Sequence, residues 1–290
     1  MSIERWQYKI EGRVQGVGFR PFVYRLAHQM KLTGWVRNDT SGVLIEVQGE
    51  GAADFGERLM HELPDLARVD FMKPQLIRLV IEEEFFILES DIRGTYQTLV
   101  APDTATCRTC LDELFDPKSR YFLYPFLNCT QCGPRFSITS RLPYDRGHTS
   151  MSPFKLCEAC RAEYTNPEDR RYHAQPTACT QCGPELSMPI AEIAARIQAG
   201  EIIALKGQGG YQLIADANNE AVVWRLRERK QREAKPFAVM MLNVTDKALD
   251  KRLQSLMEHP SRPVVLIDGA MSEAIAPGLN QTGVMLPYTP

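Results

Sequence analysis

The stretch Glu11 to Pro21, EGRVQGVGFRP, decides the reading of this chain. Gly16 and Gly18 bracket a valine, and Arg20-Pro21 follows at once. A strand-like run, Trp6 to Arg13, leads into the glycines. Behind them Phe22, Val23, Leu26, Ala27 and Met30 recur at helical spacing. Pro21 suits a first helical turn, where its missing N–H costs nothing. A strand, a glycine turn and a helix N-terminus make an anion site, because the amides point outward and the helix dipole favours negative charge. Glycine lets those amides converge without a Cβ in the way. An arginine in the first turn grips a phosphate in bidentate fashion. A Walker A loop would end in Gly-Lys-Ser/Thr, and a dinucleotide fingerprint would carry a third glycine where Phe19, Arg20 and Pro21 stand. The expected ligand is therefore a compact phosphate. The alternative is a plain βα turn with a surface arginine.

The next two strand-like runs, GWVRND and GVLIEVQG, are joined by Thr40-Ser41-Gly42, a hairpin turn. A helix over about 52–63 places Phe55, Leu59 and Leu63 on one face, and β-rich runs around 68–80 and 84–90 close the block. The order β-α-β-β-α-β is the ferredoxin-like arrangement. GRVQGVGFR in such a block, with GWVRN downstream, resembles acylphosphatase over residues 5 to 90. The resemblance implies that the amides of Gln15, Gly16, Val17, Gly18, Phe19 and Arg20 cradle the phosphate. It also implies that Arg20 binds the phosphate and that Asn38 orients the attacking water. Phosphoryl transfer to water needs mainly charge neutralisation and positioning, which such a site supplies. Read from the residues alone, Asn38 is equally a turn residue before Asp39-Thr40.

All eight cysteines fall in four C-x-x-C pairs. The segments starting at Cys107 and Cys157 are two copies of C-x2-C-x18-C-x2-C, each ending in Thr-Gln-Cys-Gly-Pro, so this is an internal duplication. The spacing matches a four-thiolate tetrahedral zinc site with no open position, and hence two structural zinc ions. Cys107, Cys110, Cys129 and Cys132 are assigned to one, and Cys157, Cys160, Cys179 and Cys182 to the other. Redox pairs, iron–sulfur clusters and ligand sets crossed between the copies are the alternatives. His148 and His173 are read as ordinary loop residues. RLPYDRGHTSMSPF, between the copies, is read as a linker, with the lining of a passage between sites as the alternative.

Beyond residue 187 cysteine vanishes and helix–strand alternation returns: a helix at 190–199 with Gly200 behind it, strand IIALK, a glycine loop, strand YQLIADA, a helix at 219–233, strand FAVMML, a helix near 246–257 and strand PVVLID. The basic run WRLRERKQREAKPFAVM reads most simply as a solvated helix face. With KGQGGYQL before it, however, it resembles the YrdC family of carbamoyl- and threonylcarbamoyl-adenylate synthases. That resemblance implies contacts to ATP with magnesium from Lys230 and Arg232, with Lys206, Tyr211 and Lys235 beside them. The family's Ser-x-Asn half of the site lies downstream of a segment like VMLPYTP.

With 290 residues, 44 % of them hydrophobic, the chain is expected to form two or three globular domains. The expected fold class is α+β multidomain: an acylphosphatase-like domain over 1–91, duplicated zinc fingers over 101–187, and the N-terminal part of a YrdC-like α/β domain over 188–290. A net charge of −2 gives no global basic field for nucleic acid. The polar N-terminus and the shortness of apolar runs such as FAVMML point to a soluble cytoplasmic protein without a membrane partner.

This order of blocks is similar to the N-terminal part of the nickel–iron hydrogenase maturation carbamoyltransferases. The resemblance implies hydrolysis of carbamoyl phosphate to carbamate in the first domain, then ATP-dependent carbamoyl-adenylate formation. Transfer to the C-terminal cysteine of a HypE-type partner follows, on the way to the cyanide ligands of the hydrogenase iron. The 290-residue chain is expected to keep the phosphatase step alone. Two other readings stand beside this one: a YrdC-related tRNA-modification or RNA-binding protein, and a non-catalytic acyl-phosphate sensor.

Overall fold

The structure is a computed structural model that describes residues 2–93, 98–242, 251–269 and 271–290. The chain divides into two compact units, Met1–Asp103 with Arg108–Pro184 and Thr104–Cys107 with Glu185–Pro290.

In the first unit, β1 (Ile3–Arg13), α1 (Phe19–Gln29), β2 (Thr33–Asn38), β3 (Val43–Glu50), α2 (Phe55–His61), β4 (Arg68–Leu76) and β5 (Phe85–Ile87) follow one another. The sheet order is β4-β1-β3-β2-β5. β1 runs antiparallel to both β3 and β4, and the short β5 adds in parallel beside β2. Alternation along the strands decides which face is covered: Tyr8 and Ile10 of β1 and Val43, Ile45 and Val47 of β3 are buried, while the residues between them are not. α1 lays Phe22, Val23, Leu26 and Ala27 into the same core, and α2 adds Phe55 and Leu59. The β2–β3 turn is closed by Asp39, whose Oδ1 accepts from the Ser41 amide at 2.8 Å and the Gly42 amide at 2.7 Å. That turn holds Asn38, the last residue of β2, at the same end of the sheet as the glycine turn after β1.

The cysteine repeats contribute α3 (Arg108–Phe115) and α4 (Glu158–Thr165), each beginning directly after the first cysteine of its copy. The segment between the repeats packs onto the ferredoxin-like domain and is no simple linker. The Tyr144 amide donates to Gln15 Oε1 at 3.0 Å, and Arg146 donates to the carbonyls of Gln175, Thr177 and Phe154.

The second unit contains α5 (Ile190–Gln198), β6 (Ile203–Gly207), β7 (Gly210–Ile214), α6 (Glu220–Arg229), β8 (Ala238–Met240), α7 (Lys251–Glu258), β9 (Val265–Asp268) and β10 (Gln281–Met285). β6 and β7 form a hairpin of their own, and β8-β10-β9 form a three-stranded sheet. Three elements are shorter than their sequence patterns. β7 ends at Ile214, because Asp216 turns the chain by accepting from the Asn218 amide at 2.9 Å. β8 keeps only Ala238–Met240 of FAVMML. α6 stops at Arg229, because Gln231 takes a left-handed φ of 48° and the Arg232 amide bonds back to the Arg227 carbonyl at 3.0 Å, a Schellman closure. Of the helix expected near 246–257, residues 246–250 lie outside the described residues.

The basic run is not a uniformly solvated face. Arg227 is only 4 % exposed. Its guanidinium donates to the carbonyls of Ala274, Ile275, Arg232 and Lys235. It stacks on Phe237 with the guanidinium carbon 4.7 Å from the ring centroid. Arg227 therefore shapes the loop that carries Lys230, Arg232 and Lys235.

Candidate anion site and metal centres

Gly16 and Gly18 both take left-handed backbone, with φ of 75° and 72°, so the turn requires the residue type. Space is tight as well. A Cβ on Gly16 would lie 3.2 Å from Arg135 Cδ, and one on Gly18 would lie 3.3 Å from Thr130 Cβ. Both obstacles come from the first cysteine repeat. Gly18 is the N-cap of α1 and offers no capping side chain, so the first amides of the helix stay available to an outside acceptor. The side chains of Val17 and Phe19 are buried in the core, which leaves only their backbone to face a ligand.

Gln15 plays a different part from its neighbours. Its buried amide donates to the Asp39 carbonyl at 2.9 Å and the Gly42 carbonyl at 2.7 Å, and its Oε1 receives Tyr144. It fixes the glycine turn against the β2–β3 hairpin. Arg20 is 8 % exposed and forms an ion pair with Asp145, Nη2 to Oδ1, at 2.7 Å. It also donates to the Tyr144 carbonyl at 3.4 Å. Asn38 is buried beside it. With its amide oriented for the best hydrogen bonding, Oδ1 accepts from Arg20 Nη2 and Nε at 3.3 Å. Glycine turn, Arg20 and Asn38 therefore meet in one place, a cavity of about 30 Å³ also lined by Tyr144, Arg135 and His173.

The roof over this cavity is what sequence reasoning missed. Arg135 closes one side. Its Nε donates to the Gly16 carbonyl, and its two Nη atoms donate to the carbonyls of Cys129, Thr130, Cys132 and Pro134. His173 closes another side. Burial and the nearby Arg20 guanidinium push its imidazole down to about 4, so it stands neutral at neutral pH. The only sequence signal for Arg135 was its place directly after a Cys-Gly-Pro, and the second copy has Glu185 there.

The eight cysteines gather as the spacing implies, without crossing between copies. Cys107, Cys110, Cys129 and Cys132 form one group and Cys157, Cys160, Cys179 and Cys182 the other, with all Sγ atoms of a group within 4.8 Å of one another. The Sγ atoms of Cys129 and Cys132, Cys132 and Cys110, and Cys157 and Cys179 lie 3.6, 3.4 and 3.8 Å apart. A tetrahedral zinc with Zn–S of about 2.3 Å holds its sulfurs about 3.8 Å apart, so both sets fit the ion. Four thiolates around a divalent cation leave a net charge of −2, and the copies answer it reciprocally. Arg120 of the first copy donates to Cys160 Sγ at 3.1 Å and to Cys157 Sγ at 3.7 Å in the second. Arg170, the residue 50 positions later, donates to Cys110 Sγ in the first. The carboxylates exchange in the same way, Glu163 pairing with Arg120 at 2.6 Å and Glu113 with Arg170 at 3.5 Å.

In the second unit, register places Lys206 directly opposite Tyr211 on the β6–β7 hairpin. The ring of Tyr211 is 74 % exposed. Arg232 is turned inward onto the carbonyls of Lys235 and Pro236 and stacks on Phe237 at 4.8 Å, so it is not a free cation.

These features define a class: an acylphosphatase-type anion site built against a pair of four-cysteine fingers. Comparison with known proteins agrees. Residues 6–87 match the acylphosphatase family, residues 106–139 and 156–188 the HypF finger, and residues 195–290 the family described as telomere recombination, which covers Sua5, YciO and YrdC. The carbamoyltransferase HypF of Rhizobium leguminosarum bv. viciae is 52 % identical over 99 % of this chain and 39 % of its own length. The probable carbamoyltransferase HypF of Methanocaldococcus jannaschii is 39 % identical over 97 % of this chain and 40 % of its own length. A crystal structure of full-length HypF in the phosphate- and nucleotide-bound form superposes with a TM-score of 0.94 at 41 % identity, covering 99 % of this chain and 40 % of that one. The chain belongs to the HypF carbamoyltransferase family and spans about two fifths of the length of these relatives. Among the described residues no helix is long and apolar enough to cross a membrane.

The reciprocal arginines have a measurable consequence. Arg120→Met is expected to release zinc from the second group of cysteines to a competing chelator about 10–100-fold more readily, the usual cost of a lost outer-sphere partner. Zinc release followed with a chromogenic chelator checks this; equal release from parent and variant would contradict it. His173 gives a pH signature. Its folded value lies below the free value of 6.5, so the unfolded chain takes up the proton first and stability falls as pH drops from 6.5 toward 4. In His173→Asn that part of the loss is expected to disappear from melting curves recorded across this window.

Proposed function

We propose that the first unit hydrolyses carbamoyl phosphate to carbamate and phosphate, the opening step of carbamoyl transfer. The observation that carries the reading is the meeting of glycine turn, Arg20 and Asn38 in one pocket. In this reading the amides after Gln15 and the Arg20 guanidinium hold the phosphoryl oxygens. Asn38 orients a water. The water oxygen bonds to phosphorus as the bond from phosphorus to the bridging oxygen breaks, and carbamate departs with that oxygen. The proton of the water passes to the phosphate product. The protein supplies position and positive charge and needs no covalent nucleophile. The zinc sites are structural, since every coordination position is taken by a thiolate.

The second unit would then join carbamate to ATP with magnesium, using Lys206, Tyr211, Lys230, Arg232 and Lys235. The relative solved with bound phosphate and nucleotide supports the pairing of these two ligands. In the same reading a HypE-type maturation protein receives the carbamoyl group. A reducing cytoplasmic setting goes with two thiolate clusters in place of disulfides. RNA binding is disfavoured by the buried Arg227, whose guanidinium is committed to the carbonyls of its own loop and leaves the exposed basic run one cation shorter.

The test is phosphate release from carbamoyl phosphate, corrected for spontaneous decay. Arg20→Ala is expected to lose about 100-fold or more in kcat/KM, the scale of a lost transition-state clamp. Equal rates in parent and variant, or none above the blank, would remove the catalytic reading and leave an acyl-phosphate sensor.

A further inference from the structure

The glycine turn and Arg20 recognise a phosphate, and a phosphate is common to every acyl phosphate. Carbamoyl and acetyl phosphate differ only at the far end, an NH2 against a CH3 of nearly the same size. Shape cannot separate them well; a hydrogen-bond acceptor can, because the amide NH2 is purely a donor. Among the described residues lining the cavity none is a carboxylate. The segment between the fingers brings one beside the lining, against Arg20. Asp145 Oδ1 stands 2.7 Å from Arg20 Nη2, and no hydrogen bond to its Oδ2 occurs among the described residues. Of the other acceptors two are occupied, and the buried Tyr144 Oη in the cavity lining, which has no hydrogen-bond partner among the described residues, carries no charge. Gln175 Oε1 already accepts from the Arg146 amide at 2.7 Å and from Tyr164 Oη at 3.0 Å. The Tyr144 carbonyl already accepts from Arg20 Nη2 at 3.4 Å.

Asp145 is also held in place from its backbone. Its carbonyl accepts from the His148 amide at 2.8 Å, and the next residue, Arg146, is clamped by three carbonyls of the finger region. Such a support keeps the carboxylate fixed beside Arg20.

We propose that Asp145, supplied by the segment between the fingers, selects a carbamoyl group over other acyl groups by accepting a hydrogen bond from its NH2. Arg20 is shared between this carboxylate and the phosphate, which keeps the two anions from facing each other without a cation. The inference rests on the phosphatase reading, and its readout is a preference. The finger region would then be a specificity module, where the glycine turn alone would accept acyl phosphates in general.

The experiment measures kcat/KM for carbamoyl phosphate and for acetyl phosphate in the parent, Asp145→Ala and Asp145→Asn. The quantity read is the ratio of the two. Asp145→Ala, which removes the acceptor, is expected to lower the carbamoyl-over-acetyl ratio about tenfold or more. Asp145→Asn, which keeps an acceptor oxygen without the charge, is expected to restore most of it. A ratio unchanged in Asp145→Ala overturns the proposal and leaves Asp145 as an anchor for Arg20 alone. A ratio lost equally in both variants overturns it as well. Should Asp145→Ala fail to fold, Asp145→Val, apolar and similar in shape, reads the same ratio. If the parent turns over neither substrate, the phosphatase reading fails separately. The preference is then read as the ratio of dissociation constants for the same two compounds by calorimetry, with the same outcomes deciding.

Discussion

One guanidinium, that of Arg135, touches both halves of the first unit. It reaches the carbonyl of Gly16 on one side and four carbonyls around the Cys129–Cys132 knuckle on the other. It is 3 % exposed, so its charge is balanced almost wholly by these oxygens. A buried arginine satisfied in this way is costly to remove, because each carbonyl it leaves becomes an unpaired buried acceptor. The consequence is geometric. The glycine turn cannot relax without disturbing the metal-binding knuckle, and the knuckle cannot open without releasing the turn. Thr130, at the centre of the same knuckle, packs against Gly18, where a Cβ would lie a tight 3.3 Å from Thr130 Cβ. Structural metal and anion site are thus parts of one arrangement, although neither supplies a ligand to the other.

The same economy appears in the duplicated fingers. Duplication gave each copy an arginine at the same offset, and the fold uses each one to neutralise the other copy's thiolates. Tyr121, at the position matching Arg171, is stacked by it at 3.9 Å. The two copies therefore form one body through charge exchange and stacking, with little aliphatic core: cysteine and tyrosine lead the buried side chains here, and Leu114, Leu127 and Met151 are the large aliphatic ones among the described residues. A region of this size can rely on such cysteine groups, since a metal held by them would replace the core that a short chain cannot build.

Much of this was legible in the sequence, for reasons that differ by element. The ferredoxin-like block could be read because its signals are local: alternation in β1 and β3, helical spacing in α1, and glycines where the backbone turns left-handed. The cysteine groups could be read because metal geometry enforces spacing. The roof was not legible. RLPYDRGHTSMSPF carries no periodicity, and its position is fixed by long-range contacts between Tyr144 and Gln15 and between Asp145 and Arg20. Arg227 was hidden for the opposite reason. It lies in a run of like charges whose simplest reading is a wet surface, and only the turn at Gln231 folds the loop's carbonyls back onto it. The early stop of α6 has the same origin, a left-handed residue that is not glycine.

The central claim is that the finger region is part of the anion site. Arg135→Met tests it most directly, because this variant keeps every cysteine and every residue of the glycine turn. Zinc content and inorganic phosphate affinity are measured on the same preparation, by metal analysis and calorimetry. The account predicts full zinc content in the folded variant and phosphate binding weakened about tenfold or more, since the carbonyl of Gly16 loses its anchor. Phosphate binding equal to that of the parent would contradict it, and would show that the glycine turn holds its shape without the finger region.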